Sequence, residues 1–240
     1  MIRLFNTKGI VIAQYRLNDR NVIYKIYTRM FGLQSYILTK GSTLHTNILQ
    51  PLNIVDLVVT RRQNTNFQQI KEIKAEVLYN SIPYSELKRT IMLFLSEVLC
   101  KSIKDSDNDT FLFDYISDSL VSFDKENEGF INFHLIFLIH LTKFLGFFPL
   151  NNYSKDTCIF DISAGLFVSK ISNHSVYIGG VEASLLSTII ELDSCDTCIQ
   201  LNINNKERKN ILYAILQYYK LHIMGNMNIN SRQILEEILN

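Results

Sequence analysis

The hydrophobic period of this chain changes once, between Tyr79 and Leu87. Before that point apolar residues alternate with polar ones or run in short blocks. After it, Leu87, Ile91, Phe94, Leu95, Val98 and Leu99 recur at helical steps. A period of two places side chains on opposite faces of a strand, and a period near 3.6 gathers them on one face of a helix. A chain that switches once folds as a sheet followed by helices. The fold class is therefore α+β, with a strand domain over 1–79 and a mainly helical domain over 80–240. Pro83 suits a first helical turn.

Five strand candidates fill the first domain: Lys8–Arg16, Asn21–Arg29, Leu33–Lys40, Leu52–Arg61 and Phe67–Leu78. They are rich in Ile, Val, Tyr and Thr, and turn residues separate them. Five short strands in about 80 residues predict a small barrel such as the oligonucleotide-binding (OB) fold. Alternation assigns Ile23, Lys25, Tyr27 and Arg29 to one face of the second strand, and Val22, Tyr24 and Ile26 to the other. In the third strand it separates Gln34, Tyr36, Leu38 and Lys40 from Leu33, Ser35 and Ile37. The expectation is one apolar side and one side on which Arg29, Tyr36 and Lys40 mix bases with aromatics. Gly32 stands at the turn, where a positive φ is easy.

Net charge sharpens the division. Residues 1–79 hold eleven Lys and Arg against four Asp and Glu, a net +7, while residues 80–240 carry a net −6. A basic half points toward nucleic acid or another anionic surface. The acidic half reads as helices at Phe111–Phe123, Gly129–Leu145, Val181–Leu192, Lys206–His222 and Ser231–Leu239, with Asn230 as an N-cap. An irregular, hairpin-like insertion spans about 147–180. The acidic stretch Asp105 to Thr110 lacks the glycine and distal Glu of a calcium loop and reads as a helix connection. Phe133 to Phe148 is strongly apolar, but His134, His140 and Lys143 interrupt it. A buried helix is expected there, not a bilayer span. The opening residues show no long apolar run of a secretory signal.

Catalytic patterns are absent from the sequence: there is no GxGxxG, P-loop, HExxH or GxSxG. His45, His134, His140, His174 and His222 are scattered. Cys195 and Cys198 have CxxC spacing, which leaves a zinc pair or incidental thiols. No second pair accompanies them, and Cys100 and Cys158 stand alone. The expectation is a binding protein with no enzyme activity, cofactor or metal. Binding nucleic acid without strong sequence choice needs cations for phosphates and rings for bases. Lys25, Arg29 and Lys40 with Tyr27 and Tyr36 offer both, and Arg61 and Arg62 add charge; the leading candidates are Lys8, Lys25, Arg29, Lys40, Arg61 and Arg62 for phosphate, with Tyr36 stacking on a base. An ordinary solvated sheet face is the rival reading.

Several segments, in this order, carry a resemblance to a known family: "TKGIVIAQYR", "VIYKIYTRMFGLQSYILTKG", "ILQPLNIVDLVV", "SIPYSELKRTIMLFLSEVL", "NFHLIFLIHLTKFLGFFP", "FDISAGLF" and "YYKLHIMGNMNINSRQILEEIL". The chain resembles the bacterial recombination mediator RecO, in the form found in Bacteroidetes-type bacteria, nearly end to end. The resemblance implies an N-terminal five-stranded OB barrel and a helical domain. It implies binding of single- and double-stranded DNA, strand annealing, and RecA loading with RecR on strands coated by single-strand-binding protein. A cytoplasmic, nucleoid-associated setting follows. In the helical half it implies capture of that protein's acidic C-terminal tail, for which Lys143, Phe147 and Phe148 are the candidate lip. Two departures stand out. No Lys or Arg follows Lys40 until Arg61, and of the four zinc cysteines some relatives carry after "LGFFP", only Cys158 remains. A protein-interaction adaptor whose barrel has lost most DNA binding is the alternative.

Overall fold

A computed structural model of the chain describes residues 3–39, 41, 44, 46–61, 65–104, 108–171, 176–192, 201–225 and 228–239. The chain divides into two compact units, Met1–Val121 and Ser122–Asn240.

The first unit is built on five antiparallel strands: β1 (Arg3–Arg16), β2 (Asn21–Thr28), β3 (Gly32–Thr39), β4 (Ile54–Arg61) and β5 (Gln69–Ala75). They lie in the order β3-β2-β1-β4-β5. The long β1 makes this possible. Its first half, Arg3 to Ile10, pairs with β4, and Gly9 to Arg16 pairs with β2. A bulge between Val11 and Ala13 interrupts the second ladder, and bulges bend and twist a strand. The sheet curls until its edges touch. Tyr36 and Gln68 form a parallel bridge, in which Ile37 N donates to the Gln68 carbonyl at 3.1 Å and Gln68 N to that of Ser35 at 2.9 Å. The five strands expected of a small barrel are present as one antiparallel sheet, whose edges meet at this bridge.

The concave face holds a core of Val11, Tyr24, Ile26, Tyr36, Leu38, Val55, Leu57, Val59, Ile70 and Ile73. Gly9 makes room in it, since a Cβ there would stand 2.6 Å from Ile26 Cγ2. The opposite face is also covered. The helix α1 (Glu86–Ser102) lies against β1, where Ser96 Oγ donates to the Ile12 carbonyl. Tyr27 is 0% exposed, its ring centroid 6.2 Å from that of Phe113 in α2 (Thr110–Lys125), and its hydroxyl donates to the Asp109 carbonyl at 3.0 Å. Burial on both faces explains the unbroken apolar run "GIVI" in β1, because a strand covered on both sides has no solvated face to alternate with. Pro83 lies in a 3₁₀ turn, Ile82–Tyr84, just before α1, and Ser85 caps the helix by accepting from Lys88 N.

The second unit contains α3 (Phe133–Leu145), buried at every position from Phe133 to Thr142. Gly146 ends it with φ +82, a left-handed conformation that a Cβ disfavours. The irregular segment holds a small sheet of order β7-β6-β8, from β6 (Ile159–Asp161), β7 (Leu166–Val168) and β8 (Tyr177–Ile178). Then come α4 (Gly180–Glu191), α5 (Asn205–Tyr219) and α6 (Ser231–Ile238). Asn204 and Glu207 form a reciprocal capping box on α5. Asn230 stands at the N-cap position of α6 without making a cap bond from its side chain. Among the described residues, no helix is long and apolar enough to cross a membrane.

Candidate nucleic-acid interface

The β2–β3 hairpin decides which residues can share a surface. A three-residue loop, Arg29 to Phe31, closes on Gly32, whose φ is +65. Thr28 pairs with Gly32, so Tyr24 pairs with Tyr36, and Ile26 with Gln34. Even-numbered residues of both strands therefore lie on the concave face. This corrects the expected shared face. Tyr36 is on the opposite side from the row that leads to Arg29, and it is 1% exposed. Burial pushes its phenol well above the usual tyrosine range, with Thr28 and Arg61 nearby partly offsetting this. A ring enclosed in the core has no free face, so stacking of Tyr36 on a base is withdrawn. Lys40 and Arg62 lie outside the described residues.

The remaining cations fall into two groups. Lys8 and Arg29 line a shallow depression of about 620 Å³ with Asn6, Asp56 and Asn108. Both meet carboxylates. Lys8 pairs with Glu76, and Arg29 makes a two-pronged contact with Asp114, at 3.1 Å from Nε and 2.9 Å from Nη2. The Lys8 bond raises the lysine pKa and holds Glu76 below the usual carboxylate range. Asp56, opposite Lys8 on β4, is shifted upward, first by burial and then by Glu76. Lys25 is half-buried in mid-strand, opposite Ser35.

The second group lies where β1 begins and β4 ends. Arg61 stands directly opposite Arg3 in the β1–β4 register. The Arg61 guanidinium lies over the Phe31 ring at 4.8 Å, and that of Arg3 over Phe5 at 5.4 Å. The two rings meet edge to face at 5.3 Å. Among the described residues neither arginine has a carboxylate within ion-pair distance. Sequence reasoning found Arg61 and missed Arg3, because it began the first strand at Lys8. The alternation of Arg3 and Phe5 was the available signal. Phe67, 39% exposed just before β5, is a ring open to solvent that the sequence reading also passed over.

In the second unit, Lys143 and Phe148 do come together. The Lys143 ammonium is 4.6 Å from the Phe148 ring centroid, and Phe148 is 37% exposed. Phe147 points elsewhere. It packs against Tyr218, Tyr219 and His222, the last stacked at 5.5 Å, so it serves packing and not the lip. His134 and His140 are both buried on α3. Burial, and next the Arg208 guanidinium, pushes the His134 pKa down to about 3, so the ring is neutral. Among the described residues no cluster of three or more His, Cys, Asp or Glu could hold a metal. Cys195 and Cys198 lie outside the described residues.

Known proteins match this sequence along most of its length. The family model described as recombination protein O N terminal covers residues 1–79, and that of recombination protein O C terminal covers 87–232. The DNA repair protein RecO of Azobacteroides pseudotrichonymphae is 31% identical over 240 residues, spanning 98% of this chain and 99% of the relative. That of Bacteroides fragilis is 33% identical over 241 residues with the same coverage. That of Flavobacterium psychrophilum is 28% identical over 242 residues, 97% of this chain and 98% of the relative. With both family models matched in order and relatives above 30% identity along the whole length, the chain belongs to the RecO family of recombination proteins.

Proposed function

We propose that this chain is a non-enzymatic DNA-repair and recombination mediator. It binds single- and double-stranded DNA through the sheet unit, anneals complementary strands, and with RecR assists RecA loading on strands coated by single-strand-binding protein. The observation that carries this reading is the net charge of +7 on residues 1–79, within a sheet unit whose exposed cations include Arg3, Lys8, Arg29 and Arg61. Cations at such a surface release counterions when phosphates replace them, so affinity falls with salt. The relatives' name, DNA repair protein, agrees with this chemistry. The exposed Lys143–Phe148 pair supports a contact with an acidic tail that ends in apolar residues.

The test is binding of labelled single strands and duplexes to the full chain at two salt concentrations. Affinity is expected to fall roughly tenfold or more between about 50 and 200 mM salt. An absence of binding at the lower salt overturns the reading. The second reading, a protein-interaction adaptor, is favoured by one observation: Glu76 and Asp114 already hold Lys8 and Arg29.

A further inference from the structure

We infer that Arg3 and Arg61 form a preorganised clamp for a backbone phosphate, and that this clamp is blind to the bases. The inference rests on the DNA-binding reading above and assigns the atoms that would carry it.

Two like charges directly opposite each other on neighbouring strands are destabilising. Arg3 and Arg61 occupy such a position, and neither is relieved by a carboxylate among the described residues. Lys8 and Arg29, in the same unit, are both relieved. Of these four cations, Arg3 and Arg61 are the two that gain most from an incoming anion, because it replaces no existing ion pair.

Each guanidinium carbon also lies over a phenyl ring, at 5.4 Å for Arg3 on Phe5 and 4.8 Å for Arg61 on Phe31. Such a contact restrains a long side chain that would otherwise lose rotamer freedom on binding, and because both arginines are exposed their N–H donors remain open to solvent. Two guanidinium forks match the oxygens of a phosphodiester. The rings beneath are already covered. Phe5 meets the edge-on Phe31 and carries Arg3, while Phe31 carries Arg61. No base can stack on them without displacing a guanidinium. Tyr24 and Tyr36, on the same concave side, are buried. The contact is thus made with phosphate alone, and single strands and duplexes meet it in the same way.

The experiment compares the full chain with the R3Q/R61Q and K8Q/R29Q variants. The first readout is thermal stability with and without inorganic tripolyphosphate. The second is the salt dependence of binding to a single strand and to a duplex. Tripolyphosphate should stabilise the wild type and K8Q/R29Q, but not R3Q/R61Q. The R3Q/R61Q change should reduce the log–log salt slope by about 1.4 for single strands and about 1.8 for duplex. Both arginines are exposed and mutually repelling, so R3Q/R61Q should melt no lower than wild type without ligand. A tripolyphosphate shift and salt slopes that survive R3Q/R61Q overturn the clamp while leaving DNA binding in place. A wild type that binds no DNA, but responds to tripolyphosphate through Arg3 and Arg61, keeps the clamp and overturns the DNA reading. A single-strand slope that falls while the duplex slope does not overturns the base-blind character.

Discussion

Arg208 in the second unit and the Arg3–Arg61 pair in the first show the same side chain put to opposite uses. Arg208 is 7% exposed. It donates to Asn132 Oδ1 at 2.9 Å, Asn205 Oδ1 at 2.7 Å and the Ile203 carbonyl at 2.9 Å. Asn132 in turn donates to the Leu201 carbonyl at 3.0 Å. That cation is held by neutral acceptors inside the unit, and burial lowers its pKa. Arg3 and Arg61 keep their donor edges at the surface and lean on rings. A buried arginine whose donors are met by the fold stabilises structure. An exposed one that no carboxylate among the described residues opposes is available to a ligand.

The aromatic residues sharpen the same contrast, and the largest predicted effect falls on them. Tyr36 belongs to the core, so Tyr36→Ala should cost about 3–5 kcal/mol in chemical denaturation. Tyr36→Phe should leave DNA affinity unchanged. A selective loss of single-strand binding in a stably folded Tyr36→Phe protein would restore the ring to the interface and break the contrast.

Next in size is Arg208→Ala, which strips three acceptors of their donors and should cost about 2–4 kcal/mol. DNA affinity measured well below the melting temperature should not change. The reverse pattern, intact stability with weakened binding, would mean that buried and exposed arginines are not divided in this way.

The smallest effect is the pH response of the buried unit. His134 has a folded pKa of about 3 against an ordinary value near 6.5. A base whose folded pKa is depressed is protonated first in the unfolded chain. The stability tied to its neutrality is complete above about 6.5 and is lost as pH falls toward 3. Lowering the pH from about 7 to 5.5 should therefore cost about 1 kcal/mol, measured by urea denaturation. His134→Gln should flatten that dependence, whatever its stability at neutral pH. An equal slope in both proteins would assign the response to other groups.

Much of the fold was legible in the sequence because it depends on local periodicity. All five strands of the first unit lie where alternation placed them, although β1 starts five residues earlier than expected. The helices begin and end within a few residues of the helical pattern, and Gly32 has the positive φ its turn position suggested. The site was less legible. Alternation assigns two faces to each strand taken singly, but it does not say which face of one strand continues which face of the next. The three-residue loop before Gly32 fixes that register, and a shift of one residue exchanges every side chain. Tyr36 was lost to the core for this reason. Tyr27 was lost because α1 and α2 cover a face that looks half-polar in strand sequence.

The sequence by itself determined the sheet-then-helix order, the basic charge of the first 79 residues and the burial of α3. Each of these is a property of neighbouring residues or of their sum. Only the tertiary structure decided which cations are free to meet an anion. Glu76 lies 68 positions from Lys8, and Asp114 lies 85 from Arg29. Arg61 reaches Arg3 only through the β1–β4 ladder. Charge is written residue by residue, but whether a charge is already neutralised depends on distances that strand pairing and helix packing set.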